Sequence, residues 1–189
     1  MIRVFLLAVL GLAALAFLSH HLPDYLRAAP DRQVTWEADA APLARWEGVW
    51  SGSYSTYRPD GTQVASTTAR HEYRRLDDRR LAVTIVDQPD SGGELTTRGE
   101  LTFDGSMLAS RLTHPDGAGV VMQGRRVGDT VFWHRLDPVR GEEETLRERI
   151  VSTPDGDVLT VDGVVVSIKD GRGLMVSEGR YRRVDRMLE

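Results

Sequence analysis

The chain has 189 residues, enough for one domain of ordinary size with a tail. A formal net charge of -4 gives no electrostatic basis for nucleic-acid binding, and 28% charged against 41% hydrophobic residues places the chain with globular rather than disordered sequences. The absence of cysteine excludes disulfides, thiolate metal sites and a cysteine nucleophile.

Residues 1–22 read as a targeting or anchoring segment. Arg3 precedes an apolar run from Val4 to Leu18, and Pro23 ends any helix there. The run spans roughly 22 Å as a helix against the ~30 Å of a bilayer core, and its flanks to Leu22 bring it to roughly 31 Å. No small-x-small cleavage site follows it, since Leu18, Ser19, His20 and His21 stand in that place. The segment is therefore expected to stay attached as a helical anchor in the cytoplasmic membrane. Arg3 keeps the N-terminus inside and the rest of the chain on the extracytoplasmic, periplasmic side. His20 and His21 lack a third ligand, so no metal site is assigned. Residues 23–42, with Pro23, Pro30 and Pro42, form a spacer.

From residue 43 to 189 a single domain is expected, and its pattern changes to period two. Leu43–Trp46 has room for one short turn. Ten alternating runs follow: Val49–Tyr57, Val64–Leu76, Leu81–Val86, Leu95–Phe103, Met107–His114, Val120–Val127, Val131–Leu136, Glu144–Val151, Val158–Ile168 and Leu174–Val184. Reversal signals separate them, among them Pro59-Asp60-Gly61, Asp104-Gly105, Pro115-Asp116-Gly117 and Pro154-Asp155-Gly156. Short strands joined by tight turns close on themselves because closure removes exposed edges. The expected fold is all-β: one up-and-down antiparallel β-barrel of about ten strands, preceded by the N-terminal hydrophobic helix.

The first strand carries Gly48-Val49-Trp50 behind Trp46, and the last carries Gly179-Arg180-Tyr181-Arg182-Arg183. This resembles the lipocalin and calycin superfamily, in which a Gly-x-Trp opens the first strand at the closed end of the barrel and an Arg of the last strand packs on that Trp. The resemblance implies that Trp50 is the floor residue and Arg180 or Arg182 its cation. A cation over an indole contributes ~0.5–2 kcal/mol and ties the first strand to the last. The second lipocalin signature, of Thr-Asp-Tyr type, is missing. The run Trp46 to Gly52 with Tyr57 to Gly61 is more similar to bacterial lipocalin-like domains and to phycobiliprotein lyase barrels. Ten strands are also similar to fatty-acid-binding and nitrobindin-like haem barrels, but no haem ligand is assigned and no cofactor is expected.

If Trp50 faces inward, so do Gly52, Tyr54 and Thr56. On the second strand the less charged face holds Ala65, Thr67, Ala69, His71 and Tyr73, and on the seventh Phe132, His134 and Leu136 are taken inward. A mostly apolar pocket is then expected, with Tyr54, His71, Tyr73, Met122 and His134 as its ligand contacts. Small inward residues, Gly52, Gly99, Ser110 and Gly124 among them, are expected to leave it volume. Glu142, Glu143, Glu144 and Glu148 read as a solvated strand face. No catalytic residue is assigned. The expected function is binding of a hydrophobic or amphipathic small molecule with one acceptor or carboxylate group. The alternatives are a lyase or isomerase acting on a bulky apolar substrate, and an envelope assembly protein with a filled barrel.

Overall fold

A computed structural model describes residues 43–184, and the expected anchor and spacer lie outside the described residues. All ten expected runs are strands: β1 (Gly48–Tyr57), β2 (Gln63–Asp77), β3 (Arg80–Pro89), β4 (Leu95–Phe103), β5 (Leu108–Thr113), β6 (Gly119–Val127), β7 (Thr130–Asp137), β8 (Glu142–Thr153), β9 (Gly156–Ser167) and β10 (Gly173–Val184). Each pairs antiparallel with its sequence neighbours, and β1 also pairs with β10, so the sheet is a closed barrel.

The reversals follow the chemistry of their residues. At Pro59-Asp60-Gly61 the Gly61 amide donates to the Arg58 carbonyl at 2.9 Å and Asp60 accepts from the Thr62 amide at 2.9 Å. The same pattern recurs at Pro115-Asp116-Gly117, with Gly117 to His114 and Ala118 to Asp116, both at 2.9 Å. Each glycine takes the positive φ that L side chains resist.

One end of the barrel is shut. Leu43–Trp46 makes a turn, with the Trp46 amide on the Leu43 carbonyl at 3.1 Å, and buries Leu43 and Trp46 among Trp50, Leu81, Leu101, Leu108, Val131, Ile150 and Leu159. Trp50 has no exposed surface, and its indole N–H donates to the Trp46 carbonyl at 2.8 Å.

The cation on Trp50 is Arg183, not Arg180 or Arg182. Its guanidinium carbon lies 4.5 Å from the ring centroid. The reason is register: Trp50 stands directly opposite Arg183, which shares the inward face with buried Tyr181, while Arg180 and Arg182 alternate outward and are exposed. Arg183 also donates to the carbonyls of Arg45 and Glu47 and lies 3.2 Å from Asp157. One side chain therefore joins the last strand, the first strand and the closing turn.

The inward face of β7 is the reverse of the expected one. Val131 and Trp133 are buried, and His134 is exposed and bonded to Glu143 at 2.9 Å on the outside. Both faces of this strand carry an aromatic residue, so alternation alone had no asymmetry to follow. Arg135 lies on the inner face, 3.5 Å from Glu144 and 3.6 Å from Asp137, where pairing offsets its desolvation.

Candidate functional site

Above the shut end the interior is hollow. A cavity of about 430 Å³ opens toward the end that carries the β3–β4 and β5–β6 turns, so a filled barrel is not what the chain forms. Of the expected contacts, Tyr54, His71, Tyr73 and Met122 line it and His134 does not. Apolar walls come from Val83, Ile85, Leu112, Leu146 and Val161. These positions follow from strict alternation along β3, β5, β8 and β9.

The volume does not come from the glycines. A Cβ on Gly52 would fall 2.0 Å from the Arg180 carbonyl oxygen, and one on Gly99 1.8 Å from that of Arg111. Their missing side chains let neighbouring backbone approach where the barrel wall bends. At Gly124 the space is taken by the Trp133 ring directly opposite, whose Cε3 would lie 2.5 Å from an added Cβ.

That ring position bears on the most consequential side chain of the interior. Glu148, read from sequence as solvated, lies inside at the cavity floor. Trp133 Nε1 donates to its Oε2 at 2.8 Å and Trp46 Nε1 donates to its Oε1. Burial pushes its carboxyl above the ordinary carboxylate range, against the lowering effect of the two indole donors. The available signal was parity: Glu148 shares a face with Leu146, a cavity wall, and with Ile150, a core residue. Gly124→Ala is expected to displace Trp133 from this hydrogen bond. The expected loss is ~1–3 kcal/mol in urea unfolding, with a changed near-ultraviolet dichroism of the tryptophans. An unaltered spectrum with full stability would contradict the assigned ring position.

His71 carries the second distinctive group. Its ring lies 4.4 Å from that of Tyr181 and 6.3 Å from that of Tyr73, centroid to centroid, and its Nδ1 is buried without a hydrogen-bond partner. Burial lowers its pKa to about 4, so the imidazole is neutral at pH 7. Tyr54 shares a hydrogen bond with Ser177, and burial raises the phenols of Tyr54 and Tyr73 above their ordinary range. At the mouth, Asp87 lines the cavity half-buried, and desolvation raises its carboxyl. His114 is nearby, its Nδ1 3.0 Å from the Thr97 hydroxyl. Among the described residues no group of three or more His, Asp or Glu side chains is placed to hold a metal ion.

Comparison with protein-family models finds no match, and comparison with curated protein sequences finds none either. Solved structures do match. Rv2717c from M. tuberculosis superposes with a TM-score of 0.56 at 18% identity, over 78% of this chain and 100% of that one. The S-type phycobiliprotein lyase CPES from Guillardia theta superposes with a TM-score of 0.50 at 13% identity, over 76% of this chain and 90% of that one. Likeness at such identity is likeness of fold alone, and the shared fold is a closed antiparallel β-barrel, here of ten strands.

Proposed function

We propose that the barrel is a non-enzymatic binding module that takes one hydrophobic or amphipathic small molecule into its interior. The observation that carries this reading is the cavity of about 430 Å³, apolar in its walls, with the unpartnered Nδ1 of His71 buried beside it. Mostly apolar pockets with a few convergent polar groups are the usual form of small-molecule sites. Tyr54, Tyr73 and Met122 would contact the ligand with His71. The full chain, purified and extracted with organic solvent, is expected to release a co-purifying apolar molecule. Titration with fatty acids, isoprenoids, haem and bilins is expected to identify a binder. A ligand at a hundred times its Kd would stabilise the barrel by ~2.7 kcal/mol, read as a rise in melting temperature. Leu112→Trp, which fills the cavity from its wall, should abolish that rise. An empty extract, with no stabilisation by any compound, would reject the binding reading.

We further propose that the barrel is held on the extracytoplasmic side of the cytoplasmic membrane by residues 1–22. The apolar run Val4–Leu18 behind Arg3 supports this. N-terminal sequencing of protein from the membrane fraction is expected to read from residue 1. A mature start near residue 20 or 40 would replace the anchor with a cleaved signal.

A further inference from the structure

The polar groups of the cavity are unequal in sign. Two carboxylates line it, Glu148 at the floor and Asp87 at the mouth, and no lysine or arginine does. The nearby guanidiniums are engaged elsewhere. Arg183 lies over Trp50 and is held by two carbonyls and Asp157, while Arg135 lies between Asp137 and Glu144. His71 is neutral at pH 7, so it does not supply the missing charge. Glu148 has a donor on each oxygen. The Asp87 carboxylate has no hydrogen bond or ion pair among the described residues; it is half-buried, and only His114 beside it partly offsets its desolvation.

A desolvated carboxylate without a donor is costly, and a ligand that brings a donor removes that cost. A ligand carboxylate at the same place would meet a like charge instead, with no lysine or arginine in the lining to accept it, and His114, which also lines the mouth, already faces Asp87 and the Thr97 hydroxyl. We infer that the site selects an apolar amine, with the ammonium at Asp87 and the hydrocarbon body among Val83, Ile85, Leu112 and Met122. This rests on the binding reading above and narrows it, and it disfavours the fatty-acid type of ligand that a carboxylate would represent. The order along β3 also fits: Val83 and Ile85 continue the cavity-lining face of the strand below Asp87, so the charged end stays at the mouth and the body descends.

The test uses two ligand series, each with one body and three head groups. One is dodecylamine, dodecanol and dodecanoate; the other is adamantanemethylamine, adamantanemethanol and adamantanecarboxylate. Each is titrated into the full chain at pH 7 by calorimetry below its micellar concentration. In at least one series the amine is expected to bind about tenfold or more tighter than the carboxylate, the order expected for a charge-assisted hydrogen bond. Asp87→Asn, isosteric and at the rim, should remove most of that difference between amine and carboxylate. Carboxylates that bind as tightly as the amines, or a preference that survives Asp87→Asn, would overturn the inference and leave small-molecule binding standing. If no member of either series binds, the amine assignment fails together with the support it draws from the cavity. The solvent extract then decides the binding reading by itself.

Discussion

Replacing Trp50 by alanine is expected to remove about 3–5 kcal/mol of stability, the range for deleting a large buried aromatic side chain. Three losses combine. The fully buried ring leaves a void at the shut end, the Trp46 carbonyl loses its indole donor, and Arg183 loses the face over which it lies. Against a total of ~5–15 kcal/mol for a domain, this single change takes a large share. Trp50→Phe keeps most of the packing and should lose much less, since one hydrogen bond contributes only ~1 kcal/mol net. Urea unfolding of the three proteins measures the comparison. If Trp50→Ala costs under ~1 kcal/mol, the ring does not hold the shut end and the role given to Arg183 falls with it.

Acidification supplies the second large effect. The folded state holds His71 neutral to about pH 4, while an unfolded chain protonates it near 6.5. Between those values the unfolded state binds more protons, so stability rises with pH across the window. It is complete above about 6.5 and is lost as the pH falls toward 4. The difference corresponds to about 3 kcal/mol at ~1.4 kcal/mol per pH unit. Other interior groups act in the opposite sense. The carboxyls of Asp87, Glu144 and Glu148 are raised by burial, so protonation relieves them as the pH falls. Tyr73 and Tyr181, the ring neighbours of His71, do not titrate in this range because both phenols are raised. The contribution of His71 is therefore read as a difference: the stability of His71→Phe relative to the parent should rise as the pH falls from 7 to 4. Parallel profiles would mean that the imidazole is solvated and is not the buried neutral group described.

The fold was largely legible in the sequence because turn chemistry and alternation agree along the chain. Pro59-Asp60-Gly61 and Pro115-Asp116-Gly117 each demand a reversal, and the runs between such signals have one inward period. The site was legible where the two faces of a strand differ. On β2, arginine and glutamate mark one side, and the other supplies Thr67, Ala69, His71 and Tyr73. It was not legible where a charged residue goes inside with a partner contributed by a distant strand. Glu148 is accepted into the interior by indoles from positions 46 and 133, and Arg135 by a carboxylate across the β7–β8 ladder. Local polarity argues against both placements, and only tertiary pairing reverses it. Arg183 was missed because three arginines stand in one short segment. Register against Trp50 separates them, and register is set by closure rather than by any residue of β10 alone.

Nine of the ten ladders join strands that are neighbours in sequence, so each can form by local reversal; the β1–β10 ladder alone must unite the two ends of the domain. Closing such a ring costs chain entropy before the ladder returns anything, although that cost grows only slowly with loop length. Trp50 and Arg183 face each other on this ring-closing seam. A circularly permuted chain, with β10 linked directly to β1 and new ends at Asp104-Gly105, would make this seam a hairpin. The β4–β5 ladder would become the ring-closing step, and the slow event in folding would move to the opposite wall with every other ladder left as it is.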